Sequence, residues 1–253
     1  MPIFRIDNSF HYFAHVPKCG GVAVDSYLLE RFGTIGLREP NRFNLPPDKR
    51  WSRTSPVHIP AATLKSVFPA EWLRSSFAVV RHPIRRLISA FCFARDHHGY
   101  LPLSTDFNAW WREAARWVPD DPFRLGGHFA PMVSFVPEGA RIFRLEDGLD
   151  PIIPYLDDLD GRSRGSRHIA PTNVGRWRGS EGPPVPTAET LALANRLYAQ
   201  DYERFGYSPV TDPKALDTLP DLPVLSTTGS PPSPSPSSMK TRILRTLVRK
   251  AGL

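Results

Sequence analysis

Two stretches of the chain place phosphate-binding residue types directly after apolar runs. In the first, Phe10–Val16 is an aromatic and β-branched run stopped by Pro17, and Lys18, Cys19, Gly20 and Gly21 follow at once. Glycines without a Cβ let backbone N–H groups at a helix N-terminus close on an anion, and Lys18 adds a point charge, so an oxyanion site is predicted. The spacing is not G-x-x-x-x-G-K-[ST], and no Ser or Thr follows Lys18 to hold magnesium, which disfavours a nucleoside triphosphatase. A plain tight glycine turn is the competing reading. In the second stretch Arg81 follows the apolar Phe77–Val80, and Ser89 lies two helical turns on, at i+4 from Arg85 and i+3 from Arg86. A hydroxyl and guanidinium forks on one helix face suit phosphate. A solvated basic face accounts for the same pattern.

These residues need strands and helices to hold them. Val24, Leu28 and Phe32 recur at helical spacing after Gly21, and Gly33 closes that helix. Pro83 suits a first helical position, and Ile84, Leu87, Ile88 and Phe91 mark the buried stripe that follows. A short helix over Ala61–Phe68, a strand over Arg141–Leu145 and a helix over Thr187–Phe205 complete the reading. Strands alternating with helices predict an α/β domain over residues 1–212: a P-loop-like three-layer fold whose central parallel sheet is flanked by helices. Residues 161–186 lack periodicity and form a long Arg-, Gly- and Pro-rich loop over the sheet edge, a length that is often functional.

The two stretches together resemble the sulfotransferase superfamily that uses 3′-phosphoadenosine 5′-phosphosulfate (PAPS). The match lies in P-K-C-G-G after one strand and V-V-R-H-P-I-R-R-L-I-S-A-F after another, and is closest to the carbohydrate sulfotransferase branch and its bacterial relatives. It extends loosely over about Ser9–Pro209. The resemblance implies that Pro17, Lys18, Cys19, Gly20, Gly21 and Val22 bind the 5′-phosphosulfate, with Lys18 on the bridging oxygen, and that Arg81 and Ser89 bind the 3′-phosphate. It implies a saccharide or glycolipid acceptor and no metal. Cys19 stands where the family usually has Thr or Ser, so backbone donors must do more there. His82 stands where Asp or Asn is common, and reads as a structural turn residue.

A sulfuryl group carries less charge than a phosphoryl group, so one lysine and aligned amides can serve without magnesium, leaving a base to be found. His58 sits between the two motifs, where this branch carries its catalytic histidine, and is assigned as general base; a helix-flanking histidine is the alternative. His15 reads as a packed strand residue, His97 and His98 as helix-end cations, and His128 and His168 as weaker candidates for the acceptor site. In this superfamily a late basic loop closes over the nucleotide, which puts Arg176 or Arg178 at the 3′-phosphate and Trp177 on adenine; Arg162, Arg164 and Arg167 belong to the same loop, and solvated charge explains it equally well. Glu146 reads as half of a structural ion pair with Arg144. Trp110, Trp111 and Trp117 read as a core stripe before a sugar platform.

The chain has 253 residues, 41% hydrophobic and 23% charged, which excludes wholesale disorder and a disulfide-stapled miniprotein. Its two cysteines, Cys19 and Cys92, are too far apart for a C-x-x-C pair, and reduced thiols are expected. There is no run of about 18 apolar residues and no signal-peptide start, so a cytoplasmic location is expected. Five of the net +7 charges fall in Met239–Leu253, leaving a nearly neutral body and no case for nucleic-acid binding. Residues 213–238 read as a disordered Pro/Ser-rich linker, and 239–253 as a basic amphipathic tail able to touch a membrane surface from inside the cell. Two other classes stay open: a magnesium-dependent P-loop kinase of small molecules, and a non-catalytic nucleotide-binding adaptor anchored by its tail. Acceptor and oligomeric state are not legible.

Overall fold

Ile3–Ile6 (β1) and Ser9–Ala14 (β2) form an antiparallel hairpin, Ile3 opposite Tyr12 and Ile6 opposite Ser9, in the computed structural model, which describes residues 2–37, 45–46, 49, 54–96, 100–172 and 183–219. Asp7 turns the corner at φ 49°, a left-handed conformation that Asp tolerates and a tight hairpin demands. The two-residue strand Ile35–Gly36 (β3) pairs with the outer side of β1. On the other side β2 pairs in parallel with Leu73–Val80 (β4), and β4 in parallel with Arg141–Arg144 (β5). The sheet order is β3-β1-β2-β4-β5. The sheet is therefore mixed: its three-strand parallel half carries the predicted motifs, and the hairpin adds an antiparallel edge that the expected all-parallel sheet omits.

The helices are Gly21–Phe32 (α1), Ala61–Val67 (α2), Pro83–Asp96 (α3), Phe107–Trp117 (α4), Ile152–Asp160 (α5), Ala188–Leu197 (α6) and Ala199–Phe205 (α7). The last four residues of β2 and of β4 are buried, as expected where both faces of a parallel sheet are covered. One apolar core joins the sheet to α1, α2 and α5; a second joins α3, α4, α6 and α7. Trp111 lies fully inside the second core and Trp110 packs on Phe91 and Phe129, so these rings are core residues. The predicted Thr187–Phe205 helix is broken at Tyr198, whose hydroxyl donates to the Phe129 carbonyl; beyond the break, Asp201 accepts from the Met132 and Val133 N–H groups.

The chain divides into two units, Met1–Pro223 and Val224–Leu253. The second unit, with the basic tail, lies outside the described residues, as do His97, His98, Arg176, Trp177 and Arg178. Pro213–Thr218, placed by composition at the start of the linker, is a 3-10 helix with Leu216 buried in the second core. Among the described residues no helix is long and apolar enough to cross a membrane.

Candidate active site

The loop leaving β2 is shaped by three backbone conformations. Lys18 (φ 67°) and Gly20 (φ 79°) are left-handed, and Gly21 opens α1 with no side chain capping the helix N-terminus. Gly21 is needed for a second reason: a Cβ there would lie 2.1 Å from the His15 ring. That ring lies against the start of α1, and its Nδ1 is 3.1 Å from Oδ2 of the buried Asp25. The glycine pair thus bends the chain at Gly20 and admits a histidine at Gly21. Gly21→Ala is expected to destabilise the protein by about 2–3 kcal/mol, because the ring must move and the buried His15–Asp25 bond is lost. Urea unfolding checks this against Gly33→Ala, whose Cβ meets nothing within 4 Å and costs about 1–2 kcal/mol of left-handed strain.

Lys18 is half-buried, its ammonium 3.7 Å from the centroid of the Phe93 ring on α3. Burial, and then the charge of Arg81, push its pKa down to about 8. No carboxylate among the described residues pairs with it, so the loop brings together a cation and helix N–H groups that no side chain caps. Cys19 points the other way. Its thiol, 1% exposed, lies 3.6 Å from the Pro17 carbonyl and 3.8 Å from Met132 Sδ, and burial holds it protonated, up to about 12. Only its main-chain N–H can serve a ligand. Val22 is exposed on the first turn of α1.

At the exit of β4, Arg81 is half-exposed and close enough for its charge to act on Lys18. His82 is a turn residue, as expected from its position: Nδ1 accepts from the Ile84 N–H and Nε2 donates to the Ser208 carbonyl. Ser89 is half-buried on α3, one turn before Phe93 and so on the face that supports Lys18. The shared basic face does not form. Arg85 donates to the Leu216 and Leu219 carbonyls, while Arg86, wholly buried, donates to those of His128 (2.9 Å) and Ala130 (2.6 Å). Helical spacing puts them near Ser89, but the neighbouring carbonyls claim both guanidinium groups.

His58 ends a 3-10 turn, Pro56–His58. Its Nδ1 is 2.8 Å from the His15 main-chain carbonyl, which can only accept, so Nδ1 carries the proton and Nε2 the lone pair. Burial, followed by the neighbouring His15 and His128 rings, holds its pKa well below 6.5. Its ring stands 4.7 Å from that of His15 and 5.6 Å from that of His128, edge to face. The His128 ring is 5.2 Å from Phe93, the ring under Lys18. His58, His128, Phe93 and Lys18 therefore follow one another along a continuous wall. Arg86 fixes the backbone behind His128.

Among the described residues, the remaining candidates lie away from this wall. His168 is exposed and bonded to Asp150 (2.9 Å). Arg164 pairs with Asp160 and Arg167 with Asp157, both of which also meet Arg31, while Arg162 reaches Asp7; this part of the basic loop is held by the acidic turn of α5. Glu146 forms no ion pair with Arg144: it accepts from the His82 N–H and the Tyr207 hydroxyl, and Arg144 donates to the Phe205 and Gly206 carbonyls at the end of α7. Sequence reasoning passed over Phe93 and Asp25. The i+4 spacing from Ser89 was a signal for the first; nothing local marked the second.

Residues 3–125 match the model of the sulfotransferase family, close to half of the chain. Over these residues the chain is similar to the sulfotransferase family. Comparison with curated proteins and with solved structures gives no match. The matched segment contains Lys18, His58, Arg81 and Ser89 and stops short of His128, so the wall along the site is completed from outside it.

Proposed function

We propose that this chain transfers a sulfuryl group from PAPS to a hydroxyl of a saccharide or glycolipid by in-line displacement. The observation that carries the reading is the convergence of a half-buried Lys18 without a carboxylate partner and a neutral His58 on one wall beside Arg81. The residues fit the donor's chemistry: the uncapped start of α1 and Lys18 suit the phosphosulfate, and Arg81 with Ser89 suits the 3′-phosphate. His58 Nε2 takes the proton of the acceptor hydroxyl as its oxygen attacks sulfur. The bond from sulfur to the 5′-phosphate oxygen breaks on the opposite side, and Lys18 stabilises the charge that collects on that oxygen. The acceptor class rests on the resemblance of the His58 segment to the carbohydrate branch.

A thermal-shift comparison tests the donor. 3′-Phosphoadenosine 5′-phosphate is expected to raise the melting temperature and ATP with magnesium to leave it unchanged. A shift with ATP and magnesium alone, or with neither, overturns the reading.

A further inference from the structure

A concavity of about 650 Å³ opens at the other end of the sheet, where β4 and β5 begin. Eight residues of β4, about 25 Å, separate it from the Lys18 loop at the strand exits. Its lining is Arg74, Ser75 and Ser76 from β4, Arg141 and Ile142 from β5, and Tyr155 from α5. Arg74 and Arg141 are exposed, and neither makes an ion pair or hydrogen bond among the described residues. Arg31, Arg164 and Arg167, by contrast, are engaged with carboxylates, and Arg144 with carbonyls. The floor is rigid and polar, because Ser75 Oγ lies 2.8 Å from Nδ1 of the buried His11 and accepts from the Tyr155 hydroxyl at 3.3 Å. Gly139 leaves the rim open, with nothing within 4 Å of where its Cβ would stand.

Two unopposed guanidinium groups over a hydroxyl-lined hollow of small-molecule size make a recognisable chemistry. We propose that this hollow is a second anion site for the phosphate or sulfate monoester of a small polyhydroxylated molecule. Arg74 and Arg141 grip the oxyanion, and Ser75, Ser76 and Tyr155 meet neighbouring hydroxyls. The site is independent of the transfer reaction and stands whether or not PAPS is the donor.

The test is calorimetric titration of glucose 6-phosphate, glucose 6-sulfate and glucose into the Lys18→Ala/Arg81→Ala protein, in which the loop site is silenced. At least one ester is expected to bind and glucose not to; the tighter ester identifies the source of the anion. Adding Arg74→Gln and Arg141→Gln, both exposed positions, should weaken binding at least about tenfold with an unchanged melting temperature. In the wild-type chain the same ester should protect Arg74 and Arg141 from phenylglyoxal, which keeps the test valid if the silenced variant does not fold. The proposal is overturned if neither ester binds, if glucose binds equally well, or if the arginine exchanges leave affinity and protection unchanged.

Discussion

Replacing Lys18 by methionine is expected to reduce sulfuryl transfer about 10²–10³-fold and to make the unliganded protein more stable at neutral pH. The first effect follows from the charge that develops on the leaving phosphate oxygen, which an ammonium stabilises and a thioether does not. The second follows from burial. Lys18 is pushed from 10.5 down to about 8 in the folded protein, so below pH 8 folding keeps a proton on a poorly solvated amine. After allowance for solvent at a half-buried group, removing that charge stabilises the folded state by about 1–2 kcal/mol. Between pH 8 and 10.5 the unfolded chain binds more protons at this lysine than the folded one, so wild-type stability gains as pH rises through that window. The advantage of the methionine variant is therefore full below pH 8 and fades towards pH 10.5. Melting curves across pH, with initial rates of transfer, check both halves; a variant that is less stable at pH 7, or that transfers at the wild-type rate, removes Lys18 from its role at the leaving oxygen.

Replacing His58 by alanine is expected to cut kcat about 10²–10⁴-fold while binding of 3′-phosphoadenosine 5′-phosphate stays within a few-fold of wild type. In the proposed reaction the imidazole acts on the acceptor proton, so only the chemical step would depend on it. The wild-type rate should also have an unusual acid limb. Burial and the two neighbouring histidines hold His58 well below 6.5, so its Nε2 lone pair is available throughout the neutral range, and kcat should begin to fall only well below pH 6.5. A pH profile of kcat for both proteins decides it: normal turnover by the alanine variant, or a wild-type acid limb at 6.5 or above, assigns the base elsewhere.

The departures that the sequence displayed find physical explanations in the fold. Cysteine stands at position 19, where the resemblance implies a hydroxyl, in a pocket formed by a proline carbonyl and Met132 whose sulfur suits a polarizable thiol. His82 stands where the resemblance implies Asp or Asn and satisfies both its ring nitrogens within the turn and at Ser208. The predicted Arg144–Glu146 pair failed because each side chain found a partner distant in sequence, at Phe205 and Tyr207. The first hairpin went unread because β1 is only four residues long and its turn, Asp7-Asn8, lacks the glycine that usually announces one.

Taken alone, the sequence determined the two strand–loop–helix units, the glycine loop at Lys18 and the placement of Arg81 at a strand exit. Each depends on glycine conformations, proline positions and apolar spacing within a few neighbouring residues, and such preferences act before any tertiary contact is made. Tertiary structure alone decided the protonation and surroundings of His58 and which arginines were engaged elsewhere. His58 acquires its tautomer from a carbonyl at His15, Phe93 receives Lys18 from another element, and Arg85 and Arg86 are drawn away from Ser89 by carbonyls that packing brings to them. Buried donors and acceptors must be paired wherever packing leaves them, and that requirement is set by the whole fold.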